Sequence, residues 1–188
     1  MRLTGGLLAV SLLTTEILLA AESRMAEMLP LHLCSVAAIV ALHLAYAKRQ
    51  AALDFLGYLG MPGALLALLF PAPAVSRCQG LLNASYMVTH ALIIVIPAWR
   101  MCKGMRVREG QEMQMLLLLH GLALAAYTAN LLLGTDYLFL VAPPAGTPLC
   151  IPYAYGRGWY LLALEALACA MIALTGRLIP RFFPPVMQ

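Results

Sequence analysis

Apolar runs close to twenty residues long recur along this chain of 188 residues, and they constrain its fold more than any other feature. An α-helix needs about 20 apolar residues to cross a hydrocarbon layer about 30 Å thick. The chain is 63% hydrophobic and 11% charged, whereas about a quarter of the residues of a soluble domain are charged. We therefore predict an all-α fold, a polytopic transmembrane helix bundle that forms a single transmembrane domain over residues 1–188.

The positions of the apolar runs predict six spans, at Leu3–Ala21, Leu29–Ala47, Phe55–Phe70, Leu81–Trp99, Met115–Leu133 and Trp159–Leu178. The third is short and contains Pro62. A cleavable signal peptide is the alternative for the first, because Arg2 precedes an apolar run that ends in small residues. Glu16 inside that run favours a retained span.

Basic residues are distributed unevenly over the loops between the spans. Nine fall on one side of the predicted bundle and three on the other, and the three are Arg24, Arg77 and Arg157. Because Lys and Arg accumulate in cytoplasmic loops, this bias predicts that both termini are cytoplasmic. The net charge of +4 is thus explained by orientation in a membrane, and no nucleic-acid partner is expected.

The connection between the fifth and sixth spans differs from the other loops. Residues 136–141 are apolar but too few to span, and Pro143 and Pro144 follow them. This pattern predicts a short re-entrant or interfacial segment that covers the outer end of the bundle, with an ordinary surface loop as the alternative. Cys78 and Cys150 both fall on this outer side, where a disulfide or two thiols are compatible with the sequence.

Ionisable and polar side chains within the spans are the candidates for function, because such groups normally face a bundle interior or a wet cavity. Depth follows from the helical rise of 1.5 Å per residue, and most of these groups fall in the outer half of the bundle. His90 is near mid-depth, with Tyr86 one turn further out. We expect these side chains to share one chamber, although a membrane histidine is also commonly an interhelical contact.

The landmark residues resemble those of the bacterial YwaF-like integral membrane proteins. They run from Glu16 to Glu165 and comprise Leu29-Pro30-Leu31-His32-Leu33-Cys34-Ser35, Gly57 to Ala67 with Pro71, His90, Asn130-x-x-x-Gly134-x-Asp136-Tyr137-Leu138-Phe139-Leu140, and Trp159-Tyr160. Members usually carry one more span, with its own histidine, before the span that begins here at Leu3. They also commonly have Asn in place of Asp136, and Lys-Pro in place of Ala142-Pro143.

This resemblance extends distantly to eukaryotic transmembrane lipid acyltransferases and to hydrolases of the androgen-induced type. It implies a lipid acyltransferase or lipid-ester hydrolase in the bacterial inner membrane, with membrane lipid as its partner. Cys34 would be the nucleophile and His90 the general base, with His32 as a further catalytic candidate. The substrate-binding candidates are Glu16, Tyr86, Asn130, Asp136, Tyr137 and Glu165, of which Asn130 or Tyr86 would donate to the developing oxyanion.

Two other classes of function fit the same residues. In a proton-coupled carrier or a sensor of a small solute, Glu16, Glu165, His90 and His43 would form the site. In an accessory membrane subunit, a partner helix or a second copy of the chain would replace the missing first span. We expect no cofactor and no metal, because the sequence has no phosphate loop, no Cys-x-x-Cys and no cluster with metal-ligand spacing.

Overall fold

The computed structural model describes residues 1–72 and 77–182, and all regular structure within these ranges is helical. The helices are α1 (Arg2–Ala21), α2 (Leu33–Tyr46), α3 (Gln50–Phe55), α4 (Met61–Leu69), α5 (Gln79–Cys102), α6 (Glu112–Leu133), α7 (Cys150–Ala154) and α8 (Arg157–Phe182). Short 3₁₀ turns lie at Met25–Glu27 and Tyr137–Phe139. The described part of the protein is therefore all-helical.

Five helices in the described ranges are long and apolar enough to cross a membrane: Leu3–Ala21, Gln50–Leu69, Gln79–Cys102, Glu112–Leu133 and Arg157–Ile179. The predicted second span is not among them. Pro30 and the extended backbone of His32 delay the start of α2, which has only 14 residues and a length of about 21 Å. The described ranges thus contain five candidate spans and one shorter apolar helix, which supports a multi-pass membrane protein but does not confirm the predicted count of six.

The third span begins earlier than its hydropathy predicted. A π-helical turn at Leu56–Gly60 joins α3 to α4, so the helix is continuous from Gln50 and contains Asp54. Pro62 follows the π turn closely, so its missing N–H falls where the hydrogen-bond pattern of the helix is already irregular. Gly57 is needed at the π turn, since a Cβ there would lie 2.6 Å from the Val107 side chain.

The main core forms where α5 packs against α1, α2 and α4. Its buried residues are mostly alanine, leucine and isoleucine, among them Leu8, Ala37, Ala41, Leu44, Ile93 and Ile96. Small side chains allow helices to approach closely in a membrane. In the same way, a Cβ at Gly5 would lie 2.9 Å from the Tyr46 ring.

Helices α6 and α8 stand apart from this core. They pack against each other and reach the rest of the bundle at the π turn, where Tyr58, Leu59, Met115 and Ile172 form a second buried cluster. They are buried over only 11% and 6% of their candidate spans, against 44% for α5. We refer to them as the α6–α8 pair.

The loop between α5 and α6 is fixed to the third span by Asp54, whose side chain is fully buried. The Arg108 backbone N–H and Nε donate to its two carboxylate oxygens at 2.9 and 2.7 Å. Gln50 Nε2 donates to the same carboxylate at 2.7 Å and to the Arg106 carbonyl oxygen at 2.6 Å. We call this end of the bundle the base end.

Residues 134–142 cover the opposite end of the bundle, and we call this segment the lid loop and this end the lid end. The Tyr137 hydroxyl donates to the Ala26 carbonyl oxygen, and the Tyr160 hydroxyl donates to that of Phe139. Leu138 and Phe139 have left-handed backbone angles, with φ of 57° and 55°. Each costs about 1–2 kcal/mol in a non-glycine residue, so these contacts must hold the loop in place.

The disulfide that the sequence allowed between Cys78 and Cys150 is not formed. Both residues are thiols in the structure. Cys150 Sγ donates instead to the Pro144 carbonyl oxygen at 3.5 Å, inside its own loop.

Candidate functional site

A cavity of about 1480 Å³ lies between the main core and the α6–α8 pair, beneath the lid loop. Cavities for drug-sized ligands span roughly 300–1,000 Å³, so this one has room for a larger molecule. Eight of the predicted site residues line it: Glu16, His32, Cys34, Tyr86, His90, Asp136, Tyr137 and Glu165. Asn130 is not part of its wall.

The charged side chains of the cavity wall are concentrated toward the lid end. There the wall carries Arg24, Glu27, His32, Thr135 and Asp136, beside apolar side chains such as Leu66 and Phe70. Toward the base end the wall is apolar and includes Ile39, Leu59, Leu119 and Met171. This division suits an amphiphile with a polar head and an apolar tail.

Cys34 lies in the first turn of α2, where its side chain is half-buried against the main core and also lines the cavity. Tyr86 and His90, both on α5, line the same cavity.

His90 is buried and is oriented by its own helix. Its Nδ1 donates to the Tyr86 carbonyl oxygen at 2.7 Å, and the two rings are in contact with centroids 4.1 Å apart and planes tilted by 36°. The Tyr86 hydroxyl donates in turn to the Ala67 carbonyl oxygen on α4 at 3.0 Å. With Nδ1 carrying the proton, Nε2 of the neutral imidazole is left as an acceptor, the state that a general base requires.

His32 contacts the lid loop. It precedes the first residue of α2, its Nδ1 accepts a hydrogen bond from the Leu138 N–H at 3.3 Å, and its ring packs against Tyr137 and Phe139 at 5.1 and 5.4 Å. Burial lowers the pKa of His32, against the opposing effects of Asp136 and Glu27. Its observed partner is thus the lid loop.

Asn130 and Asp136 also hold the lid loop. Asn130 Oδ1 accepts from the Tyr137 N–H at 2.7 Å and from the Thr135 hydroxyl at 3.0 Å, while its Nδ2 donates to the Tyr137 carbonyl oxygen at 3.0 Å. The Asp136 carboxylate accepts from the Val141 and Ala142 N–H groups at 2.8 and 3.1 Å. The sequence analysis assigned both to substrate binding, and Asn130 also to the oxyanion; their observed contacts are with the loop.

Tyr137 and Tyr86 likewise have their hydroxyl groups engaged by the protein. Burial raises the pKa of Tyr137, which keeps the hydroxyl protonated as the donor to Ala26. Since the Tyr86 hydroxyl donates to Ala67, its proton is not directed at a substrate in this structure. In this structure neither Tyr86 nor Asn130 is therefore placed to donate to an oxyanion, because both donors are bonded within the protein.

The two glutamates of the site lie on different walls of the cavity. Glu16 is on α1 and half-buried, whereas Glu165 is on α8, where its Oε2 lies 3.4 Å from His120 Nε2. His43, the other residue of the carrier hypothesis, is exposed and lies outside the cavity wall.

Sequence reasoning missed a cluster of hydroxyl groups beside the cavity. Ser11 Oγ lies 3.0 Å from Ser85 Oγ and 2.8 Å from Thr89 Oγ1, and Thr15 Oγ1 lies 2.7 Å from Ser85 Oγ. The spacing of four residues in each pair, Ser11 with Thr15 and Ser85 with Thr89, could have indicated two facing helical stripes. These bonds join α1 to α5.

Within the described ranges, no group of three or more His, Cys, Asp or Glu side chains could hold a metal ion. Comparison with known proteins gives no match among curated proteins and none among solved structures. A family profile, that of the TMEM164 family, matches residues 2–175. The match covers nearly the whole chain, and the protein therefore belongs to the TMEM164 family, a family of transmembrane proteins.

Proposed function

We propose that the protein is a membrane enzyme that transfers or hydrolyses the acyl groups of lipids, with Cys34 as nucleophile and His90 as general base. The observation that carries the proposal is that Cys34 and His90 line one large cavity. The hydrogen bond from His90 Nδ1 leaves Nε2 of that ring as an acceptor. We also propose that the protein is related to the bacterial YwaF-like proteins. It would lie in a bacterial inner membrane with both termini in the cytoplasm.

The shape of the cavity supports a lipid substrate. An acyl chain placed against Leu59, Leu119 and Met171 would bury its apolar surface, which is worth about 25 cal/mol per Å². The polar end of the lipid would then lie near His32 and Glu27 at the lid end. The ester would fall between these ends, at the level of Cys34 and His90.

The chemistry has two steps. Cys34 Sγ attacks the ester carbonyl carbon as His90 Nε2 takes the thiol proton, and the tetrahedral intermediate collapses to a thioester as the proton passes from His90 to the departing alcohol oxygen. In the second step His90 removes a proton from water or from a second alcohol, which attacks the thioester and restores the Cys34 thiol. Water gives hydrolysis, and a lipid alcohol gives acyl transfer.

The test is detection of the thioester. Purified protein in liposomes that contain a phospholipid with a labelled acyl chain should become labelled, and hydroxylamine should release the label. Cys34→Ser should abolish the hydroxylamine-sensitive label. His90→Ala should slow its formation by about 10²–10⁴-fold, the usual contribution of a general base.

Cys102→Ser is the matched control, since Cys102 is an exposed thiol at the base end. It should be labelled at the wild-type rate. Equal labelling of the Cys34→Ser variant, or the absence of label from wild-type protein across phospholipids of different headgroups, would rule out the proposal.

A proton-coupled carrier or sensor is the second candidate, favoured by the presence of Glu16, His90 and Glu165 in the wall of one cavity. It predicts pH-dependent solute flux in liposomes that survives alkylation of Cys34. Under the enzyme proposal, alkylation of Cys34 abolishes activity.

A further inference from the structure

Four hydroxyl groups join α1 to α5, and their contacts determine where the two serine protons are directed. The Ser11 hydroxyl donates to the Ser85 carbonyl oxygen at 2.9 Å, and the Ser85 hydroxyl donates to the Ser11 carbonyl oxygen at 2.7 Å. A hydroxyl group has one proton and two lone pairs. Because both serine protons are used by backbone carbonyls, the two serine oxygens act only as acceptors toward the threonines.

The two threonines of the cluster are therefore the donors in their contacts with the serines. Thr89 donates to Ser11 Oγ at 2.8 Å, and Thr15 donates to Ser85 Oγ at 2.7 Å. Thr89 is buried, yet both threonines line the cavity, whereas neither serine does. Each threonine oxygen thus keeps lone pairs to which no group of the described residues donates, and each can accept a hydrogen bond from a molecule in the cavity.

Thr89 is adjacent in sequence to His90, the proposed general base. Both lie on the face of α5 that lines the cavity together with Leu82 and Tyr86, as offsets of four, seven and eight residues from Leu82 require in an α-helix. His90 Nδ1 donates to the Tyr86 carbonyl oxygen, so Nε2 of the neutral ring is an acceptor. Two acceptors, Thr89 Oγ1 and His90 Nε2, therefore belong to consecutive residues of one cavity wall.

We propose that Thr89 binds the water molecule that hydrolyses the acyl-enzyme thioester, and that it determines how much of the acyl group passes to water and how much to an alcohol. This inference rests on the proposed function. Water can donate one proton to Thr89 Oγ1 and the other to His90 Nε2, and bound waters in proteins have two or more polar partners. An alcohol has a single hydroxyl proton, which must point at His90 if the oxygen is to attack. It therefore gains no hydrogen bond from a second acceptor.

The hydrolytic step follows from this arrangement. His90 Nε2 removes one proton from the water as the water oxygen attacks the thioester carbonyl carbon. The second proton stays on the oxygen, directed at Thr89, and becomes the acidic proton of the fatty acid. The C–S bond breaks, its electron pair goes to sulfur, and Cys34 takes the proton from His90, which restores the thiol and the neutral imidazole.

The ratio of hydrolysis to transfer tests the inference. In liposomes that contain dodecanol and a phospholipid with a labelled acyl chain, hydrolysis gives labelled fatty acid and transfer gives labelled dodecyl ester. Thr89→Val, which preserves the shape of the side chain, should lower this ratio about tenfold, the effect of one lost hydrogen bond. The rate at which the thioester forms should stay at the wild-type value. Thr89→Ser, which keeps a hydroxyl group, should restore the ratio.

Thr15→Val is the matched control. It removes a hydrogen bond of the same cluster and alters the same cavity wall, but Thr15 lies on α1 and contacts Ser85, one helical turn from Thr89. It should therefore keep the wild-type ratio. Because both products come from one thioester, the ratio does not depend on the fraction of a variant that is folded.

Two kinds of failure can be told apart. A thioester in the wild type that yields no fatty acid, an unchanged rate of fatty acid release in Thr89→Val, or an equal fall in Thr15→Val would overturn the inference and leave the proposed function standing. The absence of a thioester from the wild type would overturn the proposed function, and the inference with it.

Discussion

The imidazole of His90 is held by Tyr86, one helical turn away, through a 2.7 Å hydrogen bond to the backbone and a tilted ring contact with centroids 4.1 Å apart. The backbone bond fixes which nitrogen carries the proton, and the Tyr86 ring fixes the plane of the imidazole. The same ring reaches α4 through its hydroxyl. Tyr86 is thus a positioning residue for His90 under the proposed chemistry.

Substitutions at Tyr86 should separate these two contributions. Tyr86→Phe keeps the ring contact with His90 and should retain most of the rate of thioester formation, while losing about 1 kcal/mol of stability with the hydroxyl bond. Tyr86→Leu removes the ring and should slow thioester formation about tenfold. Rates of hydroxylamine-sensitive labelling and thermal unfolding in detergent measure the two effects, and equal rates for Phe and Leu would contradict this role.

The lid loop should depend on pH through His32. Its Nδ1 accepts the Leu138 N–H only when the ring is neutral, and burial lowers the pKa of His32. The folded state therefore binds the proton less tightly than the unfolded state, so the stabilisation is present above the ordinary histidine pKa of about 6.5 and is lost as the pH falls below it.

Hydrogen exchange at residues 135–141 measures this effect. Relative to unstructured control peptides at each pH, protection of the segment should fall between pH 7.5 and pH 5. The change should disappear in His32→Asn. It should persist in His43→Gln, which alters an exposed histidine outside the cavity. A pH effect of the same size in His32→Asn would assign it to another group.

Asn130→Ala should loosen the lid loop. The change removes three hydrogen bonds to Thr135 and Tyr137 and leaves buried backbone groups of Tyr137 without them, at a cost of about 2 kcal/mol. Thermal unfolding and exchange at the lid loop report this loss. Thr128→Val is the matched control, because Thr128 is exposed on the same helix and bonds only to Leu124 among the described contacts.

Asp54→Asn should destabilise the base end. In the structure the Asp54 carboxylate accepts charge-assisted bonds from Arg108 Nε at 2.7 Å and from the Arg108 N–H at 2.9 Å. In the Asn variant the NH₂ group, which is a donor, would face one of these two donors. We expect a loss of about 2 kcal/mol, the order of a hydrogen bond to a charged group. Glu109→Gln, in the same loop and exposed, should have no measurable effect on thermal unfolding.

Hydropathy predicted the helices whose bounds follow from local composition. It failed where contacts between residues distant in sequence determine where a helix begins. The five long spans follow from apolar runs, because covering the backbone in hydrocarbon requires helix wherever such a run occurs. The third span extends back to Gln50 because Asp54, costly in an apolar helix, is satisfied by Arg108. These residues are 54 positions apart, and periodicity carries no information about such a contact.

The candidate site shows the same division. Depth along each helix predicted that Glu16, Cys34, His90 and Glu165 would lie near one another, and all four line the cavity. The contacts of Asn130, Asp136 and His32 with the lid loop were not predictable, since they depend on the irregular path of residues 137–141. An irregular path has no helical periodicity. Left-handed backbone angles are usually indicated by Gly or Asn in the sequence, and Leu138 and Phe139 give no such indication.

The charged side chains of the cavity wall are concentrated at one end of the bundle, so the cavity is asymmetric across the membrane. Under the proposed function, a lipid would enter with its headgroup at this end, in one orientation. Lipids of the opposite leaflet would have to turn over before they could enter, and the proposed reaction would draw on one leaflet alone.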